Sequence, residues 1–330
     1  MKTQVKWGIL GTATIAMEQV IPAMQNSQFC EVVAIASRSY EKAKNTAEKF
    51  HIAKAYGTYE ELIADEEIEA VYIPLPNHLH VPWAINALDA GKHVLVEKPI
   101  GLSSAEAEKL VAAAKKHPDL KIMEAFMYRF HPQWVRVKEL VDSGAIGEIK
   151  AIQASFSFFD DDPTSIVNNK EYGGGCLMDI GCYPISISRF LFGGMPKSVS
   201  AKIEYHPEFG MDTMAACVLE FEQGMTTFFS SIRAKDDQTV QIWGTKGSIR
   251  FRRPFNPAND KKAKIHLVRK NKKEKIKFDK CDQYTLQADA FARAILEDTE
   301  VPTSLSDAVE NMKVIEMIIE SDRLGKRIVM

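Results

Sequence analysis

The chain has 330 residues, of which 45% are apolar and 26% charged, with 42 basic against 44 acidic side chains. Such a length suits about two domains, and this composition excludes disordered, collagen-like and coiled-coil chains. A formal charge of −2 excludes a whole-molecule field for nucleic acid or an anionic membrane.

From the N-terminus, apolar β-rich runs alternate with amphipathic helical stretches, the pattern of βαβ units around a parallel sheet. Strands are expected at 5–10, 32–36, 70–73, 94–97 and 121–123, and helices at 13–25, 39–50, 59–64, 80–90 and 103–117. Gly91 stands where a helix C-terminal glycine belongs, and Ser103 or Ser104 where an N-cap would. After about Glu124 the texture changes. Helices are expected at 134–143 and 177–192, but strands at 149–158, 198–205, 214–220, 226–232 and 238–244 follow one another without helices between. Helices at 283–297 and 306–323 close the chain. The fold expected is α/β: a Rossmann-type domain over 1–124, then an α+β domain over 125–330 with a large open, mostly antiparallel sheet.

Five scattered cysteines without a Cys-x-x-Cys pair argue against a disulfide framework or zinc ribbon. The apolar run ending at Leu10 is too short for a signal peptide or a spanning helix. A cytoplasmic protein is expected.

The first strand runs into Gly11-Thr12-Ala13-Thr14-Ile15-Ala16 and then a helix, the position of a dinucleotide fingerprint. Only the first glycine of G-x-G-x-x-G is present; Ala13 and Ala16 are small substitutes. Backbone N–H groups and a helix N-terminus would face phosphate there, although an ordinary tight turn reads the same way. The second strand ends Ala36-Ser37-Arg38-Ser39, with no acid for the ribose hydroxyls of NAD. An arginine there suits a 2′-phosphate, so Arg38 with Ser37 is expected to select NADP(H), with NAD(H) as the alternative and Lys42 adding charge.

The strand at 94–97 delivers Lys98-Pro99 at its C-terminal end, the edge where doubly wound sheets bind ligands. Downstream, Gly173-Gly174-Gly175 leads to Asp179 and Tyr183, four residues apart and on one helix face. Three glycines would let backbone approach a ligand; a loop, a capping aspartate and a core tyrosine are the competing readings. The helical Gly181 implies close packing or ligand approach, because glycine costs about 1 kcal/mol against alanine there.

In order, the Gly11 loop, Ser37-Arg38, Pro74-Leu75-Pro76-Asn77-His78-Leu79-His80, Glu97-Lys98-Pro99, Glu124 to Pro132, and Gly173 to Pro184 resemble the Gfo/Idh/MocA oxidoreductase family over essentially the whole chain. The resemblance is nearest the branch with dimeric dihydrodiol dehydrogenase and NADP-dependent xylose dehydrogenase, where tyrosine replaces the histidine of inositol dehydrogenases. It implies an enzyme acting on CH–OH groups, interconverting a hydroxyl and a carbonyl on a sugar, polyol or dihydrodiol. Lys98 and Tyr183 would be the catalytic pair, with Asp179 orienting the substrate or the lysine. A free phenol titrates near ~10, and a neighbouring ammonium favours the phenolate. Pro74, Leu75, Pro76, Asn77, His80, Glu97 and Lys98 would join the Gly11 loop in holding the cofactor. The rival readings are a biliverdin-reductase-like reductase of a non-sugar substrate and a non-catalytic cofactor sensor.

Other signals carry less. His78 and His80 have an HxH spacing but no supporting third ligand, so no metal is expected. Pro99 is a candidate cis proline. Arg129 and His131 would meet substrate hydroxyls or else cap and pair locally. Phe158, beside Asp160-Asp161-Asp162, suits a sugar face or simply ends a strand before an acidic turn. The basic stretch 261–275 alternates apolar and polar residues without interleaved aromatics, so it reads as a solvated hairpin rather than a nucleic-acid site. A homodimer or dimer of dimers through the C-terminal sheet is expected from the family's habit.

Overall fold

In the computed structural model, residues 3–270 and 272–330 are described. Met1 and Lys2, and Asn271 at the tip of the expected hairpin, lie outside them. Among the described residues the first part of the chain forms β1 (Val5–Leu10), β2 (Cys30–Ala36), β3 (Lys54–Tyr56), β4 (Ala70–Ile73), β5 (His93–Val96) and β6 (Ile122–Glu124), with α1 (Ile21–Gln25), α2 (Tyr40–Phe50), α3 (Tyr59–Ala64), α4 (His80–Asp89) and α5 (Ser104–Ala114) between them. The strands pair in parallel in the order β3-β2-β1-β4-β5-β6. The order reverses between β1 and β4, which puts a ligand crevice at the C-terminal ends of those strands. Every residue of β4 is buried, as expected of a strand covered by helices on both sides. Local signals set the helix starts: Ser39 and Ser103 cap α2 and α5, and Thr58 with Glu61 closes a capping box on α3.

The second part forms α6 (Pro132–Asp142), β7 (Ile149–Phe159), α7 (Cys182–Phe192), β8 (Ser198–Tyr205), β9 (Asp212–Glu220), β10 (Met225–Ser231), β11 (Arg233–Gly244), β12 (Gly247–Phe251), β13 (Lys264–Arg269) and β14 (Lys272–Lys277). Two helices follow, α8 (Gln283–Leu296) and α9 (Leu305–Leu324), then β15 (Ile328–Val329). The sheet order is β14-β13-β12-β11-β7-β10-β9-β8-β15, antiparallel except for β7 with β10. Alternation fixes its faces. Val240, Ile242, Ile249, Ile265 and Leu267 are buried on one side, while Arg250, His266 and Lys275 stand in register on the other. The basic hairpin is therefore β13 and β14, with an exposed cationic face. Among the described residues no helix is long and apolar enough to cross a membrane.

The chain divides into two compact units: residues 1–127 with 282–309, and 128–281 with 310–330. A single boundary at 124 misses the return of α8 to the first unit. There the Phe291 ring packs 5.7 Å from Trp7, Thr285 Oγ1 donates to the Ala23 carbonyl at 3.0 Å, and Asp289 meets the Ser27 hydroxyl. Trp7 and Phe291 are both fully buried, so α8 supplies apolar cover that the first 127 residues lack.

Candidate active site

In the first unit, β1 ends at Gly11, whose φ of +113° only glycine adopts readily. Its N–H donates to the Ala36 carbonyl at 2.9 Å, and a Cβ there would sit 3.1 Å from Leu75 Cδ2. The loop therefore lies against the 74–77 segment. Thr12, Ala13, Thr14 and Ile15 remain partly or fully exposed, followed by a π turn over Ala16–Val20 that continues into α1. Such turns recur at functional sites. A strand, a left-handed glycine and a helix start at the sheet's reversal point fit a dinucleotide pyrophosphate.

At the end of β2, Ser37 is buried and its hydroxyl accepts from the Ser39 N–H at 3.3 Å. The exposed Arg38 hydrogen-bonds the Tyr59 hydroxyl, whose phenol is raised chiefly by burial and drawn down by the arginine's charge. Tyr59 packs edge-on against Trp83 at 4.9 Å, and its hydroxyl comes within 3.9 Å of a Cβ built on Gly11. Sequence reasoning missed Tyr59, since nothing local distinguishes it from an ordinary first-turn core residue.

The lysine loop is fixed from two sides. Glu97 is buried; its carboxylate accepts from Tyr72 OH at 2.7 Å and from the Lys98 N–H at 3.3 Å. The Lys98-Pro99 bond is cis. His80 lies beneath, 1% exposed, with Nδ1 2.8 Å from the Pro99 carbonyl and Nε2 2.6 Å from the Leu75 carbonyl. These contacts leave neither ring nitrogen for a cofactor, so His80 belongs to the interior rather than to the binding surface. Pro74 and Leu75 are buried, whereas Pro76 and Asn77 are partly exposed. The buried Tyr284 of α8 feels the charges of Glu97 and Lys98; burial and Glu97 push its phenol up while Lys98 pulls it down. No local signal linked that residue to the lysine, because the return of α8 was not foreseen.

In the second unit, a π turn over Leu177–Gly181 leads into α7, so Asp179 sits in that turn and Tyr183 in the helix proper. The glycines before it serve packing. A Cβ on Gly174 would lie 2.6–2.7 Å from the carbonyls of Ile166, Val167 and Asn169. Gly175, at φ +113°, is pressed against Asp212, whose carboxylate accepts from the Leu177 N–H at 2.6 Å and so fixes the helix entrance. Ligand approach is not needed to explain either glycine. Gly181 likewise brings the turn close to β10, where a Cβ would lie 3.4 Å from Ser230 Oγ.

Tyr183 is 4% exposed in an aromatic cluster, 5.1 Å from Phe255, 5.4 Å from Phe156 and 5.9 Å from Tyr128. Arg129 donates to Ser186 Oγ at 2.7 Å and to Tyr128 OH at 3.3 Å, bracing α7 behind this cluster. His131 is buried and accepts from the Gln133 N–H at 3.0 Å as the N-cap of α6; burial pulls its pKa down to about 4. Of the two readings open for this residue, local capping is the one realised. Phe158 is partly exposed, and the acids after it are engaged in their own turn: Asp160 accepts from Ser165 and Asn168, and Asp162 from Thr164.

The family model described as "Oxidoreductase family, NAD-binding Rossmann fold" matches residues 5–125, and "GFO/IDH/MocA C-terminal domain" matches 134–250. A D-xylose 1-dehydrogenase (NADP(+)) from Haloferax volcanii is 38% identical over 322 residues, 97% of this chain and 98% of the relative. A trans-1,2-dihydrobenzene-1,2-diol dehydrogenase from Xenopus laevis is 39% identical over 257 residues, 74% of each chain. The crystal structure of a 3-ketoreductase from Actinomadura kijaniata, in complex with NADP and TDP-benzene, superposes with a TM-score of 0.89 at 30% identity, covering 96% of this chain and 98% of that one. With a cofactor loop in the first unit and an aromatic-enclosed tyrosine in the second, the chain belongs to the Gfo/Idh/MocA family of oxidoreductases, with a Rossmann domain of the nicotinamide-dinucleotide-binding kind.

Proposed function

We propose that the chain is an NADP(H)-dependent oxidoreductase interconverting a hydroxyl and a carbonyl on a sugar, polyol or dihydrodiol. The observation that carries this reading is Lys98 at the C-terminal end of β5, beside β4 in the same sheet as the Gly11 loop, with Glu97 anchored by Tyr72. The named relatives are a D-xylose dehydrogenase, a dihydrodiol dehydrogenase and a 3-ketoreductase, which supports both the substrate classes and a reaction that can run toward either the hydroxyl or the carbonyl.

In this reading Gly11 lets the loop turn against the pyrophosphate, the N–H groups of Thr12 to Ile15 hold it, and Pro74 to Asn77 border the nicotinamide ribose. Arg38, Ser37 and Tyr59 hold a 2′-phosphate, for which a bidentate guanidinium is suited. The bound nicotinamide supplies the hydride chemistry. Lys98 polarises the substrate oxygen through its ammonium, and Tyr183 takes up or returns the hydroxyl proton. Asp179 orients the substrate or the lysine. Tyr183 is packed among Phe156, Phe255 and Tyr128, which limit its access to bulk water.

The test is a screen of aldoses, ketoses, polyols and dihydrodiols with both cofactors, read at the nicotinamide absorbance band. Lys98→Met and Tyr183→Phe should each lower kcat by about 10²-fold and leave NADPH binding, followed by fluorescence, intact. Normal turnover by Tyr183→Phe would remove the tyrosine from the mechanism, and no turnover with any class would leave the sensor reading standing.

The sheet face opposite the core exposes Met214, Met225, Phe229 and Trp243 at 39–46%. Exposed apolar groups on one face suit association of two copies, and analytical ultracentrifugation of wild type and Phe229→Lys tests it.

A further inference from the structure

Two loops of the first unit meet on one buried ring. The 74–77 segment follows β4, the Lys98-Pro99 segment follows β5, and His80 is the first residue of α4, yet its side chain stands between a carbonyl of each loop. We infer that His80 is a positioning residue for Lys98: by bridging the Leu75 and Pro99 carbonyls it sets the spacing between the cofactor loop and the lysine loop. The inference rests on Lys98 acting in the reaction.

A buried carbonyl oxygen is costly without a donor, so an apolar side chain of similar size would remove the one N–H that the neutral ring gives to the Leu75 or the Pro99 carbonyl. A neutral imidazole carries one N–H, donated to one carbonyl while the other nitrogen is pressed against the second, and the tautomer decides which. Burial outweighs the two carbonyl contacts, which favour the charged ring, and with the smaller push of the Lys98 and His78 charges holds the pKa down to about 4, so the ring is neutral near pH 7. Pro99 directly follows Lys98, and the Glu97 carboxylate already fixes the lysine N–H from the other side, so the lysine backbone is held at both flanks. Leu75, whose carbonyl meets Nε2, also packs its side chain on Gly11. A shift of His80 would therefore be felt at the pyrophosphate turn and at Lys98 together. Displacement of a reacting group by about 1 Å can cost about 10²-fold in rate.

The test compares His80→Phe, which fills the space without a donor, with His80→Gln, which keeps one donor. His80→Phe should lower kcat for D-xylose or a trans-dihydrodiol about 10-fold or more, with NADPH affinity by fluorescence within about 2-fold of wild type and a displaced apparent pKa in the kcat profile. His80→Gln should recover part of kcat and move the profile back. If kcat falls only in proportion to the unfolded fraction seen by thermal melting, with the pH profile unmoved, His80 is merely structural and the inference fails. A large loss of NADPH affinity at unchanged kcat would make it a cofactor residue instead and equally overturn it. Should the phenylalanine variant not fold, the glutamine variant is judged by the same two readouts against wild type. Full turnover in Lys98→Met would defeat the underlying role of Lys98, a result distinguishable from any outcome at His80.

Discussion

Acid should weaken the second unit through one histidine. His131 is 2% exposed and uses Nδ1 as an acceptor for the Gln133 N–H, so protonation at that nitrogen would bury a charge and break the α6 cap at once. Its folded-state pKa is lowered to about 4 from 6.5. The unfolded chain therefore takes up a proton near 6.5 that the folded chain refuses until about 4. Stability is fully present above the unfolded value, declines as pH falls through that window, and levels off below it. Between pH 7 and pH 5 the linked loss is roughly 2 kcal/mol, or about 4–8 °C in melting temperature if the unit melts as one cooperative block. The assay is thermal or urea unfolding of wild type and His131→Asn at both pH values. Asparagine is a good N-cap that does not titrate, and His80 contributes equally to both proteins. Wild type should lose about 2 kcal/mol more than the variant on acidification. Parallel losses would refute the assignment of the neutral, acceptor form.

Arg38→Ala should reduce kcat/KM for NADP about 10- to 100-fold, as loss of a charge-assisted phosphate contact does, and leave that for NAD unchanged; Tyr59→Phe should give a smaller loss of the same sign in the same steady-state assay. Gly175→Ala should destabilise by at least about 2 kcal/mol, from the left-handed backbone and the clash with Asp212, measured by chemical denaturation; a neutral result would mean that the loop relaxes freely. Phe291→Ala should cost about 3–5 kcal/mol in the transition that NADPH protects, which would be absent if α8 were dispensable to the first unit.

The strands that stack whole apolar runs were legible. Those at 5–10 and 70–73 match β1 and β4 to the residue, because burial on both faces leaves an unmistakable pattern. β3 was not legible: Lys54, Ala55 and Tyr56 form a short edge with half-exposed side chains and no apolar run. Continuous helices were expected over 13–25 and 177–192, yet each opens through a π turn, which hydrophobic periodicity does not distinguish from an α turn. The candidate site was visible as motifs but not as contacts. Nothing local ties Gly175 to Asp212, Arg38 to Tyr59, or His80 to two carbonyls, because each partner arrives by tertiary packing. Capping by His131 was one of two open readings rather than the expected one, since the usual capping residues are serine, threonine, aspartate and asparagine.

The return of α8 makes the second unit, through residue 281, an insertion within the first. During synthesis the N-terminal 127 residues leave the ribosome well before the helix that covers Trp7 exists. An indole that ends fully buried thus faces solvent or a chaperone while the larger sheet is still being made. The order of manufacture and the order of completion are opposed: the cofactor-binding unit begins first and closes only once residues 282–309 have emerged.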